Sequence, residues 1–154
     1  MKILLKTLFV LSLLFTSGLN ASTMFLLTKI PKAYLVVENY SSKLPMSIKR
    51  EIIDEMKSFT SELEIDTTGY SHRTLAFIIY DTVLDDNLVL NIDLVLGEEI
   101  KRIDDNQEVY GLTYEKRKQM TLNMKSDDEI EEELLENVDI LLSDFSEQYI
   151  EDNE

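Results

Sequence analysis

The chain reads as a two-layer α+β domain, with a four-stranded, mostly antiparallel sheet carrying two amphipathic helices on one face. Three observations lead there. Residues 47–63 and 126–149 carry apolar side chains at helical spacing. Residues 34–40, 74–84, 88–96 and the stretch after 106 are rich in β-branched and aromatic residues or alternate apolar with polar. Glycine and proline number only four and two in 154 residues, so no interdomain linker or internal repeat interrupts the order β-α-β-β-β-α.

The first strand candidate, 34–40, follows Pro31, a residue tolerated at a strand start. Met24–Leu27 is either a short extension of it or an N-terminal arm. Asn39, Tyr40 and Ser41 match a glycosylation sequon, and their place between a strand and a helix assigns them to a turn. The first helix, 47–63, has Ser47 as its N-cap and an apolar stripe of Ile48, Ile52, Ile53, Met56, Phe59 and Leu63. Lys49, Arg50, Asp54, Lys57 and Glu62 lie opposite.

The run 74–84 is apolar almost throughout and reads as a central strand covered on both faces, parallel to the first strand. Asp85, Asp86 and Asn87 form a turn. Leu88, Leu90, Ile92, Leu94 and Leu96 then alternate with Val89, Asn91, Asp93 and Val95, which places the leucine side on the core. The strand continues toward Ile100 and Ile103, with Gly97 marking a bulge or bend. Asp104, Asp105 and Asn106 make a three-residue hairpin loop, Asn106 suiting its left-handed position. That loop pairs Leu96 with Tyr114, Ile100 with Tyr110, Leu90 with Met120 and Asp93 with Arg117. It also brings Lys116 and Lys118 to the apolar face, so either a bulge intervenes or these lysines lie beyond the core edge. The second helix, 126–149, opens on a Ser126–Glu129 capping box and buries Ile130, Leu134, Val138, Leu141, Leu142, Phe145 and Tyr149. Residues 151–154 form a frayed acidic tail.

Residues 1–21 have the layout of a secretory signal: Lys2 and Lys6, an apolar run, then small and polar residues ending at Ala21. The alternative is a retained inner-membrane anchor, because no charge falls between Lys6 and Lys29 and a span needs about 20 apolar residues. Removal of 21 of the 154 residues leaves 133, one domain over 22–150 with its short tail. It takes two lysines and no acid, so the net charge moves from −15 to −17. Such a chain repels nucleic acid and anionic lipid. The absence of cysteine excludes disulfides, thiol chemistry, thiolate metal sites and an N-terminal lipid.

No catalytic constellation is visible and no cofactor is implied. Ser71, His72 and Asp81 do not make a triad, since neighbours in a loop rarely face each other, and His72 reads as an exposed loop residue. The clusters 85–87, 104–106 and 127–129 lack the glycine of a calcium loop and fit turns and a helix start. One basic patch stands out: Lys101 and Arg102, then Lys116, Arg117 and Lys118, with Tyr110 and Tyr114 beside them. It is a candidate partner contact, or edge protection, or the partner of the protein's own acidic helices.

The strand ending in Asn39-Tyr-Ser41, the helix from Ser47, the long hairpin of 88–103 with 108–111 and the closing helix from Ser126 resemble, over 34–149, small Gram-negative envelope proteins of the LptE type and auxiliary lipoproteins of ABC transporters. The resemblance implies a non-catalytic envelope protein that docks onto a larger assembly. Those proteins are usually lipidated on a cysteine, and this chain has none. The expectation is therefore an exported periplasmic interaction protein with a protein partner in the envelope, the alternative being a small-ligand or cation-binding protein.

Overall fold

In a computed structural model that describes residues 27–154, the element order is β1 (Tyr34–Asn39), α1 (Ile48–Glu62), β2 (Arg73–Leu84), β3 (Asn87–Lys101), β4 (Glu108–Thr121) and α2 (Asp127–Asn153). The proposed signal segment lies outside the described residues. The strands form one sheet in the order β1-β2-β3-β4, with β1 and β2 parallel and the other pairs antiparallel. The α+β class and element order are those expected from the sequence.

The two helices pack on one face of the sheet. Ile48, Ile52 and Met56 of α1, and Leu134, Val138, Leu141 and Phe145 of α2, meet the leucine row of β3 together with Leu75, Phe77 and Ile79 of β2. Thr60 is buried where Phe59 was expected to be, because its hydroxyl donates to the Met56 carbonyl at 2.8 Å and so carries no unsatisfied polar group inward. Phe59, Leu63 and Ile53 flank the core, partly buried.

The helix starts differ in chemistry. Ser126 accepts from the Glu129 amide while the Glu129 carboxylate accepts from the Ser126 amide, a complete capping box. Ser47 stands at the N-cap of α1, but its backbone is already helical and its side chain makes no capping bond. At its far end α2 does not fray at 151 as expected. It runs to Asn153, where Asp152 accepts from the Leu27 amide (2.7 Å) and Asn153 binds both the Lys29 amide and the Leu27 carbonyl (3.0 Å each). Leu27, Ile30 and Ala33 are buried as a result.

The β3–β4 register follows the expected pairing from Val89–Thr121 to Leu96–Tyr114, then slips by one residue between Leu96 and Gly97. Beyond the slip Glu99 meets Tyr110 and Ile100 meets Val109, which corrects the expected Ile100–Tyr110 pair. The reason is steric. The Tyr110 ring lies over Gly97, where an added Cβ would stand 2.4 Å from it, and its hydroxyl donates to the Gly97 carbonyl at 3.0 Å. The bulge therefore sits at the one β3 residue without a side chain. Asn106 takes the left-handed conformation at the hairpin loop, with φ 57°.

Tyr114 faces the helices, edge-on to Phe145 with ring centroids 5.2 Å apart. Its hydroxyl is buried without a hydrogen-bond partner, and burial pushes its pKa up, with Asp144 adding to the effect. A buried hydroxyl that finds no partner costs about 1–3 kcal/mol. Tyr114→Phe is therefore expected to raise the unfolding free energy in a denaturant titration, and an unchanged or lower midpoint would show that the hydroxyl is satisfied in solution.

Candidate functional site

The residues of the expected basic patch fall into three separate settings. Lys116 and Lys118 stand opposite Leu94 and Ile92 on the helix-side face of the edge strand. Lys116 reaches Asp144 of α2 at 3.3 Å, which is how a lysine is accommodated at the rim of this core. Arg117, on the helix-free face, grips Asp93 with two bonds of 2.6 and 2.8 Å, touches Glu115 at 3.4 Å and lies 6.0 Å from the centre of the Tyr80 ring. The bond to Asp93 holds the guanidinium still more firmly protonated.

Lys101 and Arg102 are at the other end of the molecule's long hairpin, about 25 Å along the strands from Lys116 at roughly 3.3 Å per residue. Arg102 pairs with Asp104 and Asp105 in the loop, and Lys101 is exposed. Tyr110 is exposed beside them on the helix-free face. Tyr114 does not lie at the surface at all: it is 2 % exposed, which removes it as a partner contact. Its alternation with Thr113 and Glu115 turns it inward. Of the seven residues, Arg117 and Lys116 are engaged internally, and Lys101, Arg102, Tyr110 and the half-buried Lys118 remain at the surface.

Sequence reasoning missed that Asn91 and Asp93 are buried, though no helix covers their face. Asn91 donates to Thr82 (2.8 Å) and to the Tyr80 carbonyl (3.3 Å) and accepts from Gln119 (2.7 Å). Tyr80 lies within 3.4 Å of Asp93. Long side chains of β2 and β4 thus lie flat over the polar residues of β3. The expected strand pairing already set Arg117 opposite Asp93, and the facing amides at Asn91 and Gln119 were the further signal.

His72 is exposed, as expected, but not alone. Its Nδ1 is 2.5 Å from Glu99, and Tyr70 packs edge-on against the ring. Ser71 is committed elsewhere, donating to the Lys32 carbonyl and accepting from the Arg73 amide. Asp81 sits eight residues further along β2, opposite Leu90. These residues do not converge. Lys32, Tyr70, Ser71, His72, Arg73, Glu98 and Glu99 line an open cleft of about 340 Å³, in which Arg73 pairs with Glu98. Among the described residues no three His, Asp or Glu side chains gather as metal ligands. Asp85 and Asp86 are turn residues with φ 48° and 64°, and the 127–129 acids start α2.

No family model, characterised protein or solved structure matches the chain.

A second electrostatic feature lies between the helices. One carboxylate oxygen of Glu55 on α1 is buried without a partner. Burial raises the Glu55 pKa, and the nearby Asp139 and Glu51 raise it further. For an acid whose value rises on folding, the folded state binds the proton more tightly. Its stabilising contribution is complete below the unfolded value and is lost as pH climbs through the folded one. Glu55→Gln is expected to melt higher than the parent at pH 7, with the difference closing below about pH 4, where both states of the parent are protonated. A gain that persists unchanged into acid would contradict this assignment.

Proposed function

We propose that the protein is an exported, non-catalytic component of the bacterial envelope, working by contact with a protein partner in a larger periplasmic or outer-membrane assembly. The observation that carries the reading is the N-terminal segment, basic then apolar then small and polar, which addresses the chain across a membrane. Among the described residues no helix is long and apolar enough to cross a membrane. The resemblance to LptE-type and transporter-auxiliary proteins supports the same role.

The surface supports contact rather than chemistry. The cleft at His72 is open, and two of its polar side chains, Arg73 and His72, pair with Glu98 and Glu99. Such a site offers few free polar groups to a small ligand, which weakens the alternative of a ligand-binding protein. The outer face of α2 carries no Lys or Arg in 27 residues, so the surface favours a basic or apolar partner and disfavours nucleic acid.

Crosslinking in the native host, followed by identification of what is captured, tests the reading. A discrete envelope protein is expected. The Lys101→Glu/Arg102→Glu/Lys118→Glu triple variant, which spares the internally paired Lys116 and Arg117, is expected to weaken capture without lowering the melting temperature. Undiminished capture would discard the basic contact, and recovery of the chain from the cytosolic fraction would discard export.

A further inference from the structure

We propose that the outer edge of β1 takes an extended segment of a protein partner as a fifth strand, with acidic side chains of that segment set under the outer flank of α1. The Tyr40 amide donates to the Ile79 carbonyl at 2.8 Å. In the unbroken parallel register of β1 and β2, the even-numbered residues of β1 therefore turn their backbone groups toward β2. Leu35, Val37 and Asn39 turn theirs outward, and β1 has no second neighbour in the sheet. The fold already uses this edge once. The Ala33 amide donates to the Asp66 carbonyl and the Asp66 amide to the Pro31 carbonyl, at 3.0 Å each, in a parallel bridge one residue long. Ala33 shares the parity of Leu35 and Val37, so Asp66 stands where a fifth strand would begin. Among the described residues nothing continues it. The opposite edge of the sheet is guarded, because Lys116 and Lys118 point inward from β4 and a bulge breaks its register. Between Tyr34 and Asn39 there is no Lys, no Pro and no bulge.

The side chains of the occupant follow from α1, which runs against β1. Lys49, near the start of the helix, reaches Glu38 at 3.9 Å, and Asp66, just past its end, bridges to Lys32. Lys49, Ile53 and Lys57 are spaced four apart and form one row. The contact with Glu38 sets that row at the β1 edge. Glu51 and Glu55 form another row, toward α2, where Glu55 feels the charge of Asp139. Lys49 and Lys57 stand about 12 Å apart along the helix, and Leu35 to Asn39 spans about 13 Å of strand. An added strand with carboxylates four residues apart therefore meets both lysines. The residue midway between those carboxylates packs against Ile53, which is partly buried. The lysines' own partners, Glu38 and Asp54, are exposed surface pairs, which hold weakly and can give way to an incoming carboxylate. Main-chain bonds supply the attachment and the lysine row supplies the preference. The inference rests on the reading of the protein as a contact component, whose own test, capture in the native host, does not involve this edge.

The probe is the end-blocked peptide Thr-Glu-Thr-Val-Thr-Glu-Thr, a palindrome that presents the same side chains in either strand direction. A second peptide carries Lys in place of Glu. Amide hydrogen exchange of the isotope-labelled protein is followed by nuclear magnetic resonance. With about nine-tenths of the edge occupied by the acidic peptide, exchange at Leu35 and Val37 is expected to slow about tenfold. Amides of β4 stay unchanged, and the basic peptide has no effect. The Lys49→Gln/Lys57→Gln variant, altered only at surface pairs, is expected to bind the acidic peptide about fivefold more weakly. No slowing by the acidic peptide at millimolar concentration, or slowing at β4 instead, would overturn the proposal. Equal slowing by both peptides, or a variant that binds as the parent does, would overturn the role of the lysine row. Protection of Leu35 and Val37 before any peptide is added would overturn it too, by giving the edge to the chain's own N-terminal residues or to a second copy. Discrete capture in the native host alongside a silent peptide titration would leave the contact reading standing and remove this edge from it.

Discussion

The rest of the structure depends on one constraint: β3 is buried on both sides, but helices cover only one of them. Toward the helices the problem is solved by a row of leucine and isoleucine. On the other face, Asn91 and Asp93 are 2 % and 6 % exposed and must be satisfied by their neighbours. Arg117 closes over Asp93 with two charge-assisted bonds, and Gln119 and Thr82 close over Asn91. A buried carboxylate is tolerable only when paired and hydrogen-bonded. The polar strap does for this face what a second helical layer does in a three-layer fold.

This constraint also settles where the cations go. Lys116 and Arg117 are held by Asp144 and Asp93, and Arg73 is held by Glu98. What reaches the surface is mostly acid, above all along α2. Exposed apolar groups lie at both ends of the sheet, Ile100, Ile103, Tyr110 and Leu112 on the hairpin and Val83, Leu84 and Met124 at the opposite end. The domain is polarised along its strands, with chain entry, the histidine cleft and the hairpin at one end and the Asp85–Asp86 turn and the start of α2 at the other. That polarity follows from the strand order and from the path of α2 back along the sheet.

Much of this was legible in the sequence, for identifiable reasons. The alternation from Leu88 to Leu96 and the capping box at Ser126 are local signals, so β3 and the start of α2 stand where expected. The turn residues set the β3–β4 register correctly as far as Leu96. What failed depended on contacts distant in the chain. The slip at Gly97 is set by the Tyr110 ring on the facing strand, and the order of residues 151–153 by Leu27 and Lys29 at the other end of the chain. The basic patch was a sequence cluster that pairing with distant acids divided. Ser47 was a correct position with an absent bond, because its own backbone had already entered the helix.

A double-mutant cycle on Asp93→Ala and Arg117→Ala, read by equilibrium denaturation, tests the central claim most directly. If the strap holds the uncovered face, each single change leaves a charge or its partner unsatisfied, and the coupling between the two should be on the order of 1–3 kcal/mol. Effects that add to within about 0.5 kcal/mol would mean that Arg117 lies on the surface of the sheet without holding it, and the account of β3 would be wrong.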